Sequence, residues 1–359
     1  MENSTQTSDN ACTALWEFPP EPAEPFFSLI HELNHGARLV CLIASSVRLG
    51  IFDALDNWQS ESELEKIIQY PHPMTDYVNG LILSGLVESR DGKIRNTRLS
   101  STYLSRHSPY FQGAFLDKTV RHLKDLWICL PSIVTSGPIN YNEEEFFSQL
   151  SLPSMAQNAL CGRLQEVVQA ISALPAFLDM KKMIDLGGGH GLYAIALACK
   201  NPSLLAVVFD LPGVIPLTRK YISRYAMDEQ VIANEGNFLN GPIGSDYDLI
   251  LSSSNPSGKS PDMVKKISKA LKKGGFFVSI QPGDETVPYD PLKELEFSLW
   301  GFENVTIPKK TWSKNNKFLT DDYLTALKNQ KLSVYSVTRI SDPYIKDYGV
   351  TMLIAKKDD

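Results

Sequence analysis

Apolar residues in the stretch FFSLIHELNHGARLVCLIASSVRLGIFDAL, which begins at Phe26, recur at helical spacing, and Gly50 stands where a long helix should end. The pattern predicts a buried or partner-facing helix. SESELEKII follows as a short helix with a capping-box start at Ser60 and Glu63. PMTDYVNGLILSGL reads as another helix, and LVESRDGKIRNTRL as two extended runs turning at Asp91-Gly92. Helix, helix and hairpin together form a winged-helix pattern. Further helical stretches are GAFLDKTVRHLKDLWICLPSIVTSG, EEFFSQL and SMAQNALCGRLQEVVQAISALPAFL.

Beyond Asp179 the period changes. Apolar runs KMIDLGGG, LLAVVFDLP, YDLILSSS and GGFFVSIQP alternate with helical segments, which predicts an α/β fold with a doubly wound, mainly parallel sheet. The last two runs, LSVYSVTRI and GVTMLIAKK, are joined by SDPYIKDY, which leaves no room for a crossover helix. They should pair antiparallel. The expected organisation is a flexible segment over residues 1–24, a helical winged-helix-like domain over 25–150 and a ligand-binding α/β domain over 151–359.

Composition narrows the partners. The 359 residues are 43% hydrophobic and 21% charged, with a net charge of -6, so no global basic field attracts nucleic acid or anionic lipid. The helix expected over Pro73 to Leu86 contains no lysine or arginine, the side chains that grip phosphates and read grooves. The winged-helix region therefore reads as a scaffold or dimerisation module. The five cysteines, Cys12, Cys41, Cys129, Cys161 and Cys199, lack metal-ligand spacing and suit reduced thiols, so no metal is expected. The start MENSTQTSDN has no signal-peptide regions, and no apolar run has the length of a membrane span. The expected location is the cytoplasm, with no membrane partner.

The chemistry begins at MIDLGGGHG. A strand, then Gly187, Gly188, Gly189 and Gly191, then a helix, permits a tight turn in which a ligand lies against backbone N–H groups. Asp210 ends the next strand, where a carboxylate can accept both hydroxyls of a ribose. The plainer reading is a tight turn and nothing more. A dinucleotide fingerprint would space its glycines GxGxxG, whereas here the spacing is GxGxG and Asp185 stands two residues before the first glycine. That carboxylate would repel a pyrophosphate. It suits a ligand with an ammonium group, such as S-adenosylmethionine.

DLGGGHG, FDLPGVI, EGNFLN and YDLILSSS behind a winged-helix region resemble the S-adenosylmethionine-dependent small-molecule O-methyltransferases of plants and bacteria. The resemblance runs from about residue 25 to the end. It implies a seven-stranded Rossmann-like methyltransferase sheet and a homodimer built through the N-terminal helices. It also implies that Gly187, Gly189 and Gly191 pass under the cofactor's amino-acid portion, that Asp210 and Leu211 hold the ribose, and that Asn237 and Phe238 flank adenine. Ser253 would face the cofactor. Trp127, Met155 and Asn158 match substrate-lining helices, and Phe297, Trp300 and Phe302 are further apolar candidates for the same pocket.

The catalytic motif departs from this pattern. The family follows its fourth strand with a histidine in HDW, because a hydroxyl must lose a proton as it attacks the methyl group. This chain reads LSSSNPSGKSPD there, and no histidine occurs after His190. The family's orienting glutamate is replaced within KFLT, Lys317 to Thr320. Three readings follow. The acceptor is carbon, nitrogen, sulfur or a pre-ionised oxygen and needs no strong base; or Glu294, Glu296, His122, Lys124 or Tyr289 substitutes; or the protein binds the cofactor without transferring methyl.

Overall fold

The computed structural model describes residues 15–68, 73–255, 260–281, 290–303, 319–341 and 350–358. It divides into two compact units, Met1–Ser108 and Pro109–Asp359.

In the first unit a helix spans Glu24–Leu49 and stops at Gly50, whose left-handed backbone (φ 75°) turns its N–H back onto the carbonyls of Ser46 and Val47. Short helices Ile51–Ala54 and Glu61–Leu64 follow. The second has the expected capping box, with the Ser60 N–H donating to Glu63 Oε2 at 2.7 Å. Helix Met74–Leu83 leads into β1 (Val87–Arg90) and β2 (Lys93–Asn96), paired antiparallel around Asp91-Gly92. Ile51, Phe52, Leu55, Leu64 and Leu81 form the buried centre. The first part of the long helix does not join it: Phe26, Phe27, Leu29 and Leu33 are each more than half exposed.

The second unit opens with helix Gly113–His122, a π-helical turn Leu123–Trp127, helix Leu130–Ser136, the three-residue β3 (Ile139–Tyr141) and a second π-helical turn, Phe146–Ser151. Helices Leu152–Ala159 and Arg163–Ser172 precede the sheet. Its strands are β4 (Lys182–Leu186), β5 (Leu205–Asp210), β6 (Val231–Glu235), β7 (Tyr247–Ser253) and β8 (Leu271–Gln281); β9 (Trp300–Phe302) lies outside it, and β10 (Leu332–Ile340) and β11 (Val350–Lys357) complete it. The seven-stranded order is β10-β11-β8-β7-β4-β5-β6. β11 pairs antiparallel with both β10 and β8, and the other pairs are parallel. This is the doubly wound α/β sheet with a terminal hairpin that the sequence implies. Met183, Leu249, Leu251 and Val278 bury one face against helices Arg163–Ser172 and Leu192–Lys200, while Ile184, Ile250 and Phe277 bury the other against helices Pro261–Ala270 and Asp321–Asn329.

Two strand features have weak sequence signals. β6 is an edge strand that buries only Val231 and Ala233, so its run VIANE carries little apolar pattern. β3 and β9 pair parallel over three residues each, Ile139 with Trp300 through Tyr141 with Phe302. That pairing also explains the unit boundary, which falls at Ser108/Pro109 rather than at residue 150. β3 is stitched to β9, and the Ala114 N–H donates to Gln157 Oε1 at 2.8 Å, so residues 109–150 belong with the sheet. Among the described residues, no helix is long and apolar enough to cross a membrane.

Candidate functional site

Parallel pairing brings the carboxyl ends of β4, β5 and β7 to one edge of the sheet. β4 ends in Asp185-Leu186, and the glycines then reverse the chain into helix Leu192–Lys200. Gly187, Gly189 and Gly191 have φ of 66°, 53° and 72°, backbone that disfavours any side chain. Gly188 is required for space instead, because a Cβ there would lie 2.7 Å from the Asp185 Cγ and 2.8 Å from Val208. The turn is pinned by Gly187 N–H to the Phe209 carbonyl (2.8 Å) and by the Thr218 hydroxyl to the Gly189 carbonyl (2.6 Å).

Beneath the turn, Asp185 is 1% exposed, and neither carboxyl oxygen has a hydrogen-bond partner among the described residues. Burial, with the Asp210 charge adding to it, pushes this carboxyl up to about 8. Asp210 is differently placed. Its Oδ2 accepts the Gly189 N–H at 2.8 Å and its Oδ1 the Leu211 N–H at 2.7 Å. Burial raises it as well, against the lowering effect of those two N–H groups. His190 is buried inside the turn, where its Nδ1 accepts the Leu192 N–H at 3.1 Å. Burial, followed by the Arg163 charge, lowers it to about 4, so it stays neutral and structural.

The loop after β6 closes the next side. Lys266 Nζ donates to the carbonyls of Phe238, Leu239 and Gly241 at 2.7, 2.9 and 3.0 Å. Phe238 is half-buried and lies 3.5 Å from where a Gly187 Cβ would stand. Asn237 is exposed, and its Oδ1 accepts the Leu239 N–H at 2.9 Å, so one lone pair of the carbonyl expected to meet adenine is already used. At the end of β7, Ser253 is engaged by Arg163, whose Nη2 donates to the hydroxyls of Ser253 (3.0 Å) and Ser254 (2.6 Å). Arg163 had no role in the sequence reading. Only its position after the Gly162 break (φ 130°) brings it to the strand end.

Helix Leu152–Ala159 contacts the turn through Leu152, whose Cδ2 is 2.7 Å from a Gly189 Cβ position. Of the expected lining residues on it, Met155 is exposed and Asn158 half-buried. A second constellation joins residues the sequence could name only singly. His122 Nδ1 is 3.0 Å from Glu296 Oε1, and the Trp127 indole N–H donates to Glu296 Oε2 at 2.7 Å. The hydrogen bond from His122, helped by that from Trp127, holds the Glu296 carboxyl below its ordinary range despite burial. Trp300 stacks on Phe146 at 4.7 Å between ring centroids, with Tyr141 and Phe302 edge-on to it. Phe297 is tilted against Trp300. Glu294 lies one turn earlier than Phe297 and is drawn into none of these contacts. Lys124 belongs to the π-helical turn and is exposed. Tyr289 lies outside the described residues.

Residues 139–300 match the family model of the O-methyltransferase domain. Over 337 residues, 91% of this chain and 90% of the relative, the sequence is 29% identical to an uncharacterized protein of Methanocaldococcus jannaschii. It is 27% identical to the acetylserotonin O-methyltransferase of Bos taurus over 296 residues, 76% of this chain and 85% of that enzyme. The fold matches that of an O-methyltransferase family protein from Burkholderia thailandensis with a TM-score of 0.66, at 21% identity, covering 93% of this chain and 98% of the other. Fold and domain match together define the class, an S-adenosylmethionine-dependent methyltransferase. Within that class, residues 139–300 are similar to the O-methyltransferase domain.

The buried Asp185 generates a test in the ligand-free protein. Unfolded, this carboxyl ionises near 3.8; folded, it keeps its proton to about pH 8. Between those values the native state holds one more proton than the unfolded state, so its contribution to stability falls as pH rises, by up to ~1.4 kcal/mol per pH unit. Asp185→Asn should remove that slope, and denaturant midpoints measured from pH 5 to 8 should then converge. Gly188→Ala should destabilise the turn by about 1–3 kcal/mol through overpacking against Asp185 and Val208, read from the same denaturation curves.

Proposed function

We propose that this protein transfers the methyl group of S-adenosylmethionine to a small aromatic or lipophilic molecule, with Asp185, Gly187, Gly189, Gly191, Asp210, Leu211, Asn237, Phe238 and Ser253 forming the donor site. The observation that carries this reading is the unpartnered Asp185 carboxyl buried beneath a turn that has no room for side chains. A ligand bearing an ammonium group supplies the missing partner. The Asp210 carboxylate, already fixed by two backbone N–H groups, accepts the ribose hydroxyls, and Phe238 packs on the adenine. The donor, when bound, supplies an electrophilic methyl on a sulfonium that leaves as a neutral thioether. The chain supplies alignment and a dry, shaped site.

Arg163 holds Ser253 and Ser254 at the β7 exit, and no histidine follows β7 in the sequence. The acceptor atom is accordingly carbon, nitrogen, sulfur or an oxygen ionised before it attacks. Trp127 and Trp300, with Phe302, give the acceptor flat apolar walls. A homodimer completes the reading, in which a second copy covers Phe26, Phe27, Leu29 and Leu33, since monomers rarely expose such a stripe. Among the described residues, Cys41, Cys129 and Cys199 form no disulfide, which supports a reducing cytoplasm.

Calorimetry should detect S-adenosylmethionine binding at neutral pH. Its enthalpy should vary with the buffer's ionisation enthalpy, because pairing with an ammonium makes Asp185 release its proton. Asp210→Ala should weaken binding by about 1–3 kcal/mol by removing the ribose partner. Tight binding of NAD with none of the methyl donor would overturn the assignment. Light scattering at micromolar concentration should give a dimer mass, and Phe27→Glu with Leu33→Glu should reduce it to that of a monomer.

A further inference from the structure

Backbone N–H groups of the loop after β6 are spent locally. The Gly236 N–H returns to the Asp210 carbonyl at 2.8 Å, those of Asn240 and Gly241 both reach the Asn237 carbonyl at 3.3 and 2.7 Å, and that of Leu239 goes to Asn237 Oδ1 at 2.9 Å. The loop's carbonyls find a different partner. Those of Phe238, Leu239 and Gly241 converge on Lys266 Nζ at 2.7, 2.9 and 3.0 Å. An ammonium has three donors, so this loop takes all of them. Carbonyl oxygens gathered this closely repel one another unless a positive charge sits among them.

The cation is delivered by a rigid element. Helix Pro261–Ala270 buries Met263, Val264 and Ile267 against the sheet, and the Ser260 hydroxyl caps its start by accepting the Met263 N–H at 3.2 Å. The loop it grips forms one wall of the donor site. Phe238 lies 3.5 Å from where a Gly187 Cβ would stand, so its ring covers the beginning of the glycine turn. The entry to the loop is fixed by packing as well as by its hydrogen bond, since a Gly236 Cβ would lie 2.5 Å from the Phe209 ring. The far end has no such anchor: Leu239 and Asn240 are exposed. Lys266 supplies the restraint there. Asp210 is independent of it, because its carboxylate is held by the N–H groups of Gly189 and Leu211.

We infer that Lys266 is a positioning residue for the methyl donor: by gathering the carbonyls of Phe238, Leu239 and Gly241 it holds the Phe238 ring in place as the wall against adenine. The inference rests on the donor-site reading above and adds to it a side chain that acts only through the loop. Part of the site's affinity for an adenine-bearing ligand is therefore set from helix Pro261–Ala270. The ribose end, fixed through Asp210, does not share in it.

The test is calorimetric binding of S-adenosylmethionine to the full chain, with denaturation curves showing that each variant is folded. Lys266→Met keeps the length of the side chain and removes its donors, and it should weaken binding by about 10–100-fold. Lys266→Arg, which still presents N–H groups to the carbonyls, should recover most of that loss. A double-mutant cycle separates positioning from general support of the fold. In a Phe238→Ala background, Lys266→Met should cost little more, because the wall it holds is already gone; in an Asp210→Ala background the full factor should persist. No donor binding by the wild type would refute the donor-site reading itself. Donor binding that is the same in Lys266→Met as in the wild type, or an equal loss with and without the Phe238 ring, would overturn the role of Lys266.

Discussion

Parallel strand pairing is the constraint on which the rest of the sheet unit depends. Because β4, β5, β6 and β7 run the same way, each crossover helix must start from the same edge, and all the strand-end residues converge there. Asp185 and Asp210 are separated along the chain yet become neighbours of one turn. Helix Leu192–Lys200 starts from the same edge. The antiparallel hairpin of β10 and β11 extends the sheet beyond β8.

The two aspartates show how environment acts on identical side chains: burial raises both, and only one has N–H groups that oppose it. Asp210 spends both oxygens on N–H groups of Gly189 and Leu211, which favours the charged form. Asp185 has burial without compensation, and the Asp210 charge adds to it, so it keeps a proton well into the neutral range. Gly188 makes this arrangement possible by letting the backbone lie directly on the carboxyl. His190, in the same turn, moves the opposite way for the same reason: burial disfavours whichever form is charged.

The helical segment in front of the sheet is more than a connector. β3 reaches across to pair with β9, and this short ladder brings helix Pro291–Ser298 beside the Leu123–Trp127 turn. His122, Trp127 and Glu296 meet because of that closure. Leu126, Ile133 and Leu299 form the dry floor on which Trp127 and Trp300 rest. Weakly patterned elements thus hold the most specific polar contacts of the second constellation.

Much of the architecture was legible along the chain because it depends on local rules. The Gly50 helix stop, the Ser60 capping box, the Asp91-Gly92 hairpin, the strand-glycine-helix unit at Asp185 and the terminal antiparallel pair all follow from backbone preference or from a connection too short for a helix. The winged-helix pattern and the doubly wound sheet follow from periodicity in the same way. By itself, then, the sequence determined the elements, their order and the residue types at the glycine turn. Only the tertiary structure decided that His122 meets Glu296, that Arg163 holds Ser253 and Ser254, that residues 109–150 fold with the sheet, and that Asp185 lacks a partner while Asp210 has two. The physical reason is range. Caps, turns and periodicity are settled within a few residues, whereas a hydrogen bond between groups far apart in the chain exists only after packing has excluded water and fixed both ends.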